Sequence, residues 1–191
     1  MRLSGYDYSQ KGAYFITICT LNRACLFGEI ADGAMLLNET GQIVSRCWQE
    51  IPLHFPTVSC DVFVIMPNHI HGILYLVDAI GGPNARAKNL SPLQLSSQSP
   101  GHYGTSKTVG SIIRGFKIGV TKRVRECQGE KSFAPTIWQR NYYDHIIRDE
   151  DELNRIRQYI ANNPVQWGAD RNNPHTGQQV ATIRKNFENQ G

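Results

Sequence analysis

Two histidines, His69 and His71, stand two residues apart at the head of a run rich in β-branched and aliphatic residues (HIHGILYLV, 69–77). Side chains two apart on a strand project from one face, so both imidazoles can reach a single divalent ion and leave coordination positions open. A second set of reactive types lies in 149–163. Glu152, Arg155, Tyr159 and Asn163 fall at i, i+3, i+7 and i+11, one stripe of a helix, beside an apolar stripe of Leu153, Ile156 and Ile160. Laid against a sheet, such a helix would bring one phenol and one amide oxygen toward the two histidines. A phenol, with a pKa of about 10, is a poor nucleophile until a nearby cation stabilises the phenolate or the phosphate it attacks. A metal held by His69 and His71 would polarise that phosphate and orient it for in-line attack by Tyr159. Taken singly, each residue also has an ordinary reading: a surface histidine pair, a tyrosine bridging core and solvent, a helix C-terminal asparagine.

The elements that must position these groups follow from pattern. Residues 14–20 (YFITICT) predict a strand, and 38–55 a helix with Ile43, Cys47 and Ile51 at helical spacing, Asn38 as N-cap and Pro56 past its end. The runs 58–66 and 69–77, separated only by Pro67 and Asn68, predict an antiparallel hairpin. Residues 108–127 place Val109, Ile113, Phe116, Val120 and Val124 on one helical face, with Arg114, Lys117, Thr121 and Arg125 on another. A strand over 137–147 precedes the helix 149–163, which Asp149 and Glu152 would cap and Pro164 would end. The order β-α-β-β-α-β-α predicts an α+β, ferredoxin-like split βαβ sheet with an extra C-terminal helix. Between 79 and 107 the chain is Gly-, Pro-, Ser- and Asn-rich, which reads as a flexible insert in a domain spanning 1–168; residues 169–191 read as a polar tail.

Bulk properties narrow the class. The 191 residues, 40% hydrophobic and 19% charged, fit one globular domain with some irregular sequence. Five scattered cysteines without a CxxC pair argue against a disulfide framework or zinc knuckle. The expected setting is the cytoplasm, with no membrane span and no signal-like start. Net charge is only +4, but the 107–125 segment carries Lys107, Arg114, Lys117, Lys122, Arg123 and Arg125 with no acid, which suits a phosphate backbone.

Three stretches in combination, MPNHIHGIL (66–74), GSIIRGFK (110–117) and IWQRNYYDHII followed by RQYIANNPVQWG (137–147 and 157–168), resemble the REP-associated tyrosine transposases, relatives of the small single-tyrosine insertion-sequence transposases. The resemblance spans residues 6–168, apart from the insert. It implies an HUH nuclease in which Tyr159 is the nucleophile and His69, His71 and Asn163 hold Mg²⁺ or Mn²⁺. The implied reaction is cleavage of single-stranded DNA through a 5′-phosphotyrosine link, leaving a 3′-hydroxyl that can rejoin strands. The implied partner is a DNA hairpin with a flanking recognition tetranucleotide; monomer or homodimer stays open. The stretch Trp138, Gln139, Arg140, Tyr142, Tyr143 and His145 matches the family's segment before the catalytic helix, and Arg140 and Tyr143 are candidate DNA contacts with Arg114, Lys117 and Arg155. Trp138 and one of the two tyrosines equally suit a core.

Three rivals remain. A non-catalytic ferredoxin-like module would bind single strands by stacking on an open sheet face. A zinc hydrolase would need a third ligand, for which His145 is the available histidine. A rolling-circle replication initiator shares the chemistry but usually carries more domains.

Overall fold

The computed structural model describes residues 5–77, 108–129 and 137–174. Its elements are β1 (Gly12–Cys19), β2 (Gly28–Ala31), β3 (Ala34–Leu37), α1 (Glu39–Gln49), α2 (Ile51–His54), β4 (Val58–Met66), β5 (His69–Leu76), α3 (Val109–Gln128), β6 (Tyr143–Ile147) and α4 (Glu150–Asn162). One antiparallel sheet runs β4-β5-β1-β6, and β2-β3 form a separate hairpin. Leaving that hairpin aside, the main-sheet strands with α1 and α3 run β-α-β-β-α-β in the split βαβ arrangement, and α4 follows. The insert predicted at 79–107 lies outside the described residues, as does 175–191.

Alternation along the strands creates two different faces. On β1 and β5, Tyr14, Ile16, Ile18, Ile70 and Leu74 join Trp48 of α1 and Ile112, Ile113 and Phe116 of α3 in the larger core. On the opposite face Ala13, Ile73 and Ile147 pack with Leu153 and Ile160 of α4, flanked by Phe15, Val64, Tyr75 and Ile156. The expected apolar stripe of α4 is therefore what seats that helix on the sheet. Arg157 fixes its azimuth, with Nη2 2.6 Å from Asp61 Oδ2 on β4. At its start, Asp149 Oδ1 accepts from Glu152 N at 2.7 Å, while the Glu152 carboxylate accepts from Arg148 N and contacts His145 Nε2.

Close approach on the other face depends on Gly72. A Cβ there would lie 2.4 Å from Trp48 Cζ2 and 3.0 Å from Phe63 Cβ. Gly72→Ala should destabilise the fold by about 1–3 kcal/mol through overpacking, read as a lower urea midpoint.

Two sequence expectations are corrected and one element is added. The helix over 38–55 is two helices, because Pro52 has no amide hydrogen to donate and its ring crowds the carbonyl four residues back; α1 stops at Gln49 and α2 restarts with Pro52 in its first turn. The strand over 137–147 survives only as β6, since Asn141 sits at φ +67° and Trp138 turns into the larger core. The β2–β3 hairpin was not expected; Asp32 and Gly33, both at positive φ, make the two-residue turn that Asp-Gly favours.

Candidate active site

His69 and His71 lie on the α4 side of β5 and are almost wholly buried, 0% and 3% exposed. Asn68 governs the first. Its Nδ2 donates to two backbone carbonyls, Arg23 O at 2.9 Å and Asn172 O at 2.8 Å, which fixes the amide orientation. Oδ1 then faces His69 Nδ1 at 2.8 Å, and because that oxygen only accepts, the proton of a neutral His69 must sit on Nδ1. The Nε2 lone pair is left pointing inward. His71 Nδ1 is 2.8 Å from Thr17 Oγ1 on the neighbouring strand, and the two Nε2 atoms converge to 3.0 Å. Two such nitrogens held face to face, with their outer nitrogens engaged, form a cation-binding arrangement. Asn68→Ala should therefore cost about 10- to 100-fold in Mn²⁺ affinity, measured by titration calorimetry, as the loss of a partner that orients a ligand.

Burial holds both imidazoles below the ordinary histidine range. The Asp170 carboxylate works against that shift at His69, whereas the neighbouring His69 adds to it at His71. Both are thus neutral and ligand-competent at pH 7. The sign of the pH effect follows: an unfolded chain takes up protons at these histidines below about pH 6.5 while the folded metal-free protein resists them, so stability falls with pH from there downward. The urea midpoint should drop between pH 7 and pH 5, and Mn²⁺ should raise it more at the higher pH.

Helix α4 delivers the remaining groups. The Tyr159 hydroxyl lies 3.3 Å from His71 Nε2, and the residue is 42% exposed, so one edge of the phenol is open to a substrate. Phe15 orders the surroundings, stacking on His71 at 5.3 Å and meeting Tyr159 edge-on at 6.0 Å. Burial raises the Tyr159 phenol above its usual range and Asp170 adds to this, while Asn163 and Arg171 act the other way. Asn163, one turn on, is 2% exposed, and its Oδ1 is buried with no hydrogen-bond partner among the described residues. A buried acceptor with no protein donor, beside two converging Nε2 atoms, fits a divalent cation.

Asp170, which no spacing in the sequence marks, also faces the histidines. Its Oδ1 accepts from Asn172 N at 2.6 Å, and Oδ2 lies 3.7 Å from His69 Nε2. The ligand atoms of His69, His71 and Asp170 all fall within 4.8 Å of one another. With Asn163 they make a mixed nitrogen and oxygen donor set, which suits Mg²⁺ or Mn²⁺. Residues 169–173, read as the start of a loose tail, instead pack here: Asn172 and Asn173 are buried, and Arg23 Nη1 donates to Arg171 O.

The expected DNA contacts divide. Tyr143 pairs with Thr17 across β1 and β6, and its ring lies 6.4 Å from Phe15, so it borders the site. Arg140 lines an adjoining cavity. Arg114 and Arg155 are solvent-exposed on α3 and α4. The Lys117 ammonium donates to two backbone carbonyls, Gln139 O and Asn141 O, and so braces the loop ahead of β6. His145, the ligand a zinc hydrolase would need, is bound to Glu152 at 2.7 Å. The sheet face that a stacking module would expose is covered by α4.

No family model matches the chain. An uncharacterised protein of Haemophilus influenzae is 48% identical over 170 residues, covering 89% of each chain. A second H. influenzae protein, for which the name REP-associated tyrosine transposase has been proposed, is 26% identical over 167 residues, 85% of this chain and 75% of that one. Among solved structures, a REP-associated tyrosine transposase bound to a REP hairpin superposes with a TM-score of 0.52 at 20% identity, covering 88% of this chain and 75% of the other.

Proposed function

We propose that this chain, which belongs to the family of its H. influenzae relative and has the REP-associated tyrosine transposase fold, is a metal-dependent single-strand DNA nickase and strand transferase. The similarities support a transposase role. The observation that carries the finer reading is the Tyr159 hydroxyl 3.3 Å from His71 Nε2, at the mouth of a cluster of inward-facing metal donors.

His69, His71 and Asn163 would hold the ion, with Asp170 as a further donor. A divalent ion held there supplies Lewis-acid polarisation of the scissile phosphate. Tyr159 attacks phosphorus in line: the bond from its phenolic oxygen to phosphorus forms, the bond to the 3′-oxygen breaks, and that oxygen leaves as a hydroxyl after taking a proton from water. The phenol proton goes to solvent, to which the residue is open, and no carboxylate base is needed. The reverse attack by a 3′-hydroxyl on the phosphotyrosine rejoins a strand. Phe15 and the buried wall of β5 keep the phenol beside the donors, which shortens the search for the reactive geometry. The related solved protein was bound to a REP hairpin, which supports a single-stranded DNA hairpin as this chain's substrate.

The test is incubation of labelled hairpin DNA with the protein and Mn²⁺ or Mg²⁺. A cleaved strand and a protein-linked strand, both lost on chelation, are expected; hairpin DNA left intact with every divalent ion would overturn the reading.

A further inference from the structure

On the β6 side of the histidines lies a cavity of about 340 Å³, with Thr17, Arg23, Arg140, Tyr143, Arg171 and Asn172 among its walls. Its charge is one-sided, for three guanidinium groups border it and no carboxylate does. One wall is fixed by the Lys117 ammonium, which holds the carbonyls of Gln139 and Asn141, with Asn141 in the left-handed region at φ +67°. The opposite wall is the turn 170–172, held by Arg23 Nη1 on Arg171 O at 2.6 Å and by Asn68 Nδ2 on Asn172 O. Both walls are therefore braced by the protein's own hydrogen bonds.

The cavity also adjoins the reactive groups. Thr17, in its floor, contacts His71 Nδ1 at 2.8 Å, and Tyr143, at its edge, meets the same Phe15 ring that touches His71 and Tyr159. A strand whose phosphate lay at Tyr159 would have its next nucleotide beside this opening. The volume is at the lower end of small-ligand pockets, about 300–1,000 Å³, which suits a single nucleotide.

We propose that this cavity is a nucleotide subsite that takes the residue of the cleaved strand adjoining the scissile phosphate. Arg140 and Arg171 bind its phosphodiester, the Tyr143 ring stacks on the base, and the side-chain amides of Gln139 and Asn141 are placed to meet the base edge. Arg23 acts as a positioning residue for the Arg171 turn. The proposal rests on the reading of the protein as a single-strand DNA transferase.

The test uses Tyr159→Phe protein, which binds without reacting, and hairpin oligonucleotides with randomised flanks carrying 4-thiothymidine. Ultraviolet crosslinks should map to residues 139–143. Tyr143→Ala should weaken binding roughly 5- to 150-fold, the range of one base stack. Arg140→Ala with Arg171→Ala should flatten the slope of log Kd against log salt by roughly 1.4, about 0.7 for each phosphate contact on a single strand, and Arg140→Ala alone should leave Mn²⁺ affinity and melting temperature unchanged. Should Arg171→Ala unfold the protein, Arg140→Ala alone should give half that change. Crosslinks elsewhere together with an unchanged slope, in a protein whose parent still cleaves hairpin DNA, would overturn the subsite alone. A parent that neither binds nor cleaves would overturn both readings.

Discussion

Tyr159→Phe is expected to abolish the covalent protein–DNA species and to slow strand cleavage by more than about 10,000-fold, because removing a nucleophile leaves only positioning and binding to act. The variant keeps the ring that meets Phe15 at 6.0 Å and loses only the hydroxyl that lies 3.3 Å from His71 Nε2. The residue is 42% exposed, so stability should move by no more than about 0.5 kcal/mol. Binding of hairpin DNA should persist. A Tyr159→Phe protein that cleaved at near parental rate would remove the residue from the chemistry.

The second large effect concerns the donor set. His71→Ala should lower Mn²⁺ affinity by more than about 100-fold, beyond the range set by losing a mere orienting partner, since a direct donor is gone. Asn163→Ala should also weaken Mn²⁺ binding, because it deletes a buried oxygen that faces the two histidines without a protein donor among the described residues. Asp170→Asn tests the donor that sequence did not reveal: weaker Mn²⁺ binding with an unchanged metal-free urea midpoint is expected, whereas unaltered Mn²⁺ binding would reduce Asp170 to a partner of the 170–172 turn.

Much of this site could be read from spacing. His69 and His71 had to share a strand face once 58–66 and 69–77 were recognised as a hairpin, and Tyr159 and Asn163 had to share a helix face once Leu153, Ile156 and Ile160 were recognised as its seat. Pattern reaches that far because period 2 and period 3.6 are local properties. Asp170 was out of reach. It follows Pro164 in a short irregular segment, and its position depends on a tertiary bond, Asn68 Nδ2 to Asn172 O, that no periodicity encodes. The bracing role of Lys117 was out of reach for a related reason: its place on the cationic face of α3 follows from spacing, but its bonds to the carbonyls of Gln139 and Asn141 depend on Asn141 breaking the strand expected there. The β2–β3 hairpin did carry a signal, Asp32-Gly33 between short apolar runs, and was passed over because four-residue strands show little alternation.

The most direct measurement is mass spectrometry of protease digests after reaction with hairpin DNA and Mn²⁺. The expected result is a nucleotide adduct on the peptide containing Tyr159, assigned to that side chain by fragmentation. An adduct on Tyr142 or Tyr143, or strand cleavage with no protein-linked nucleotide at all, would contradict it.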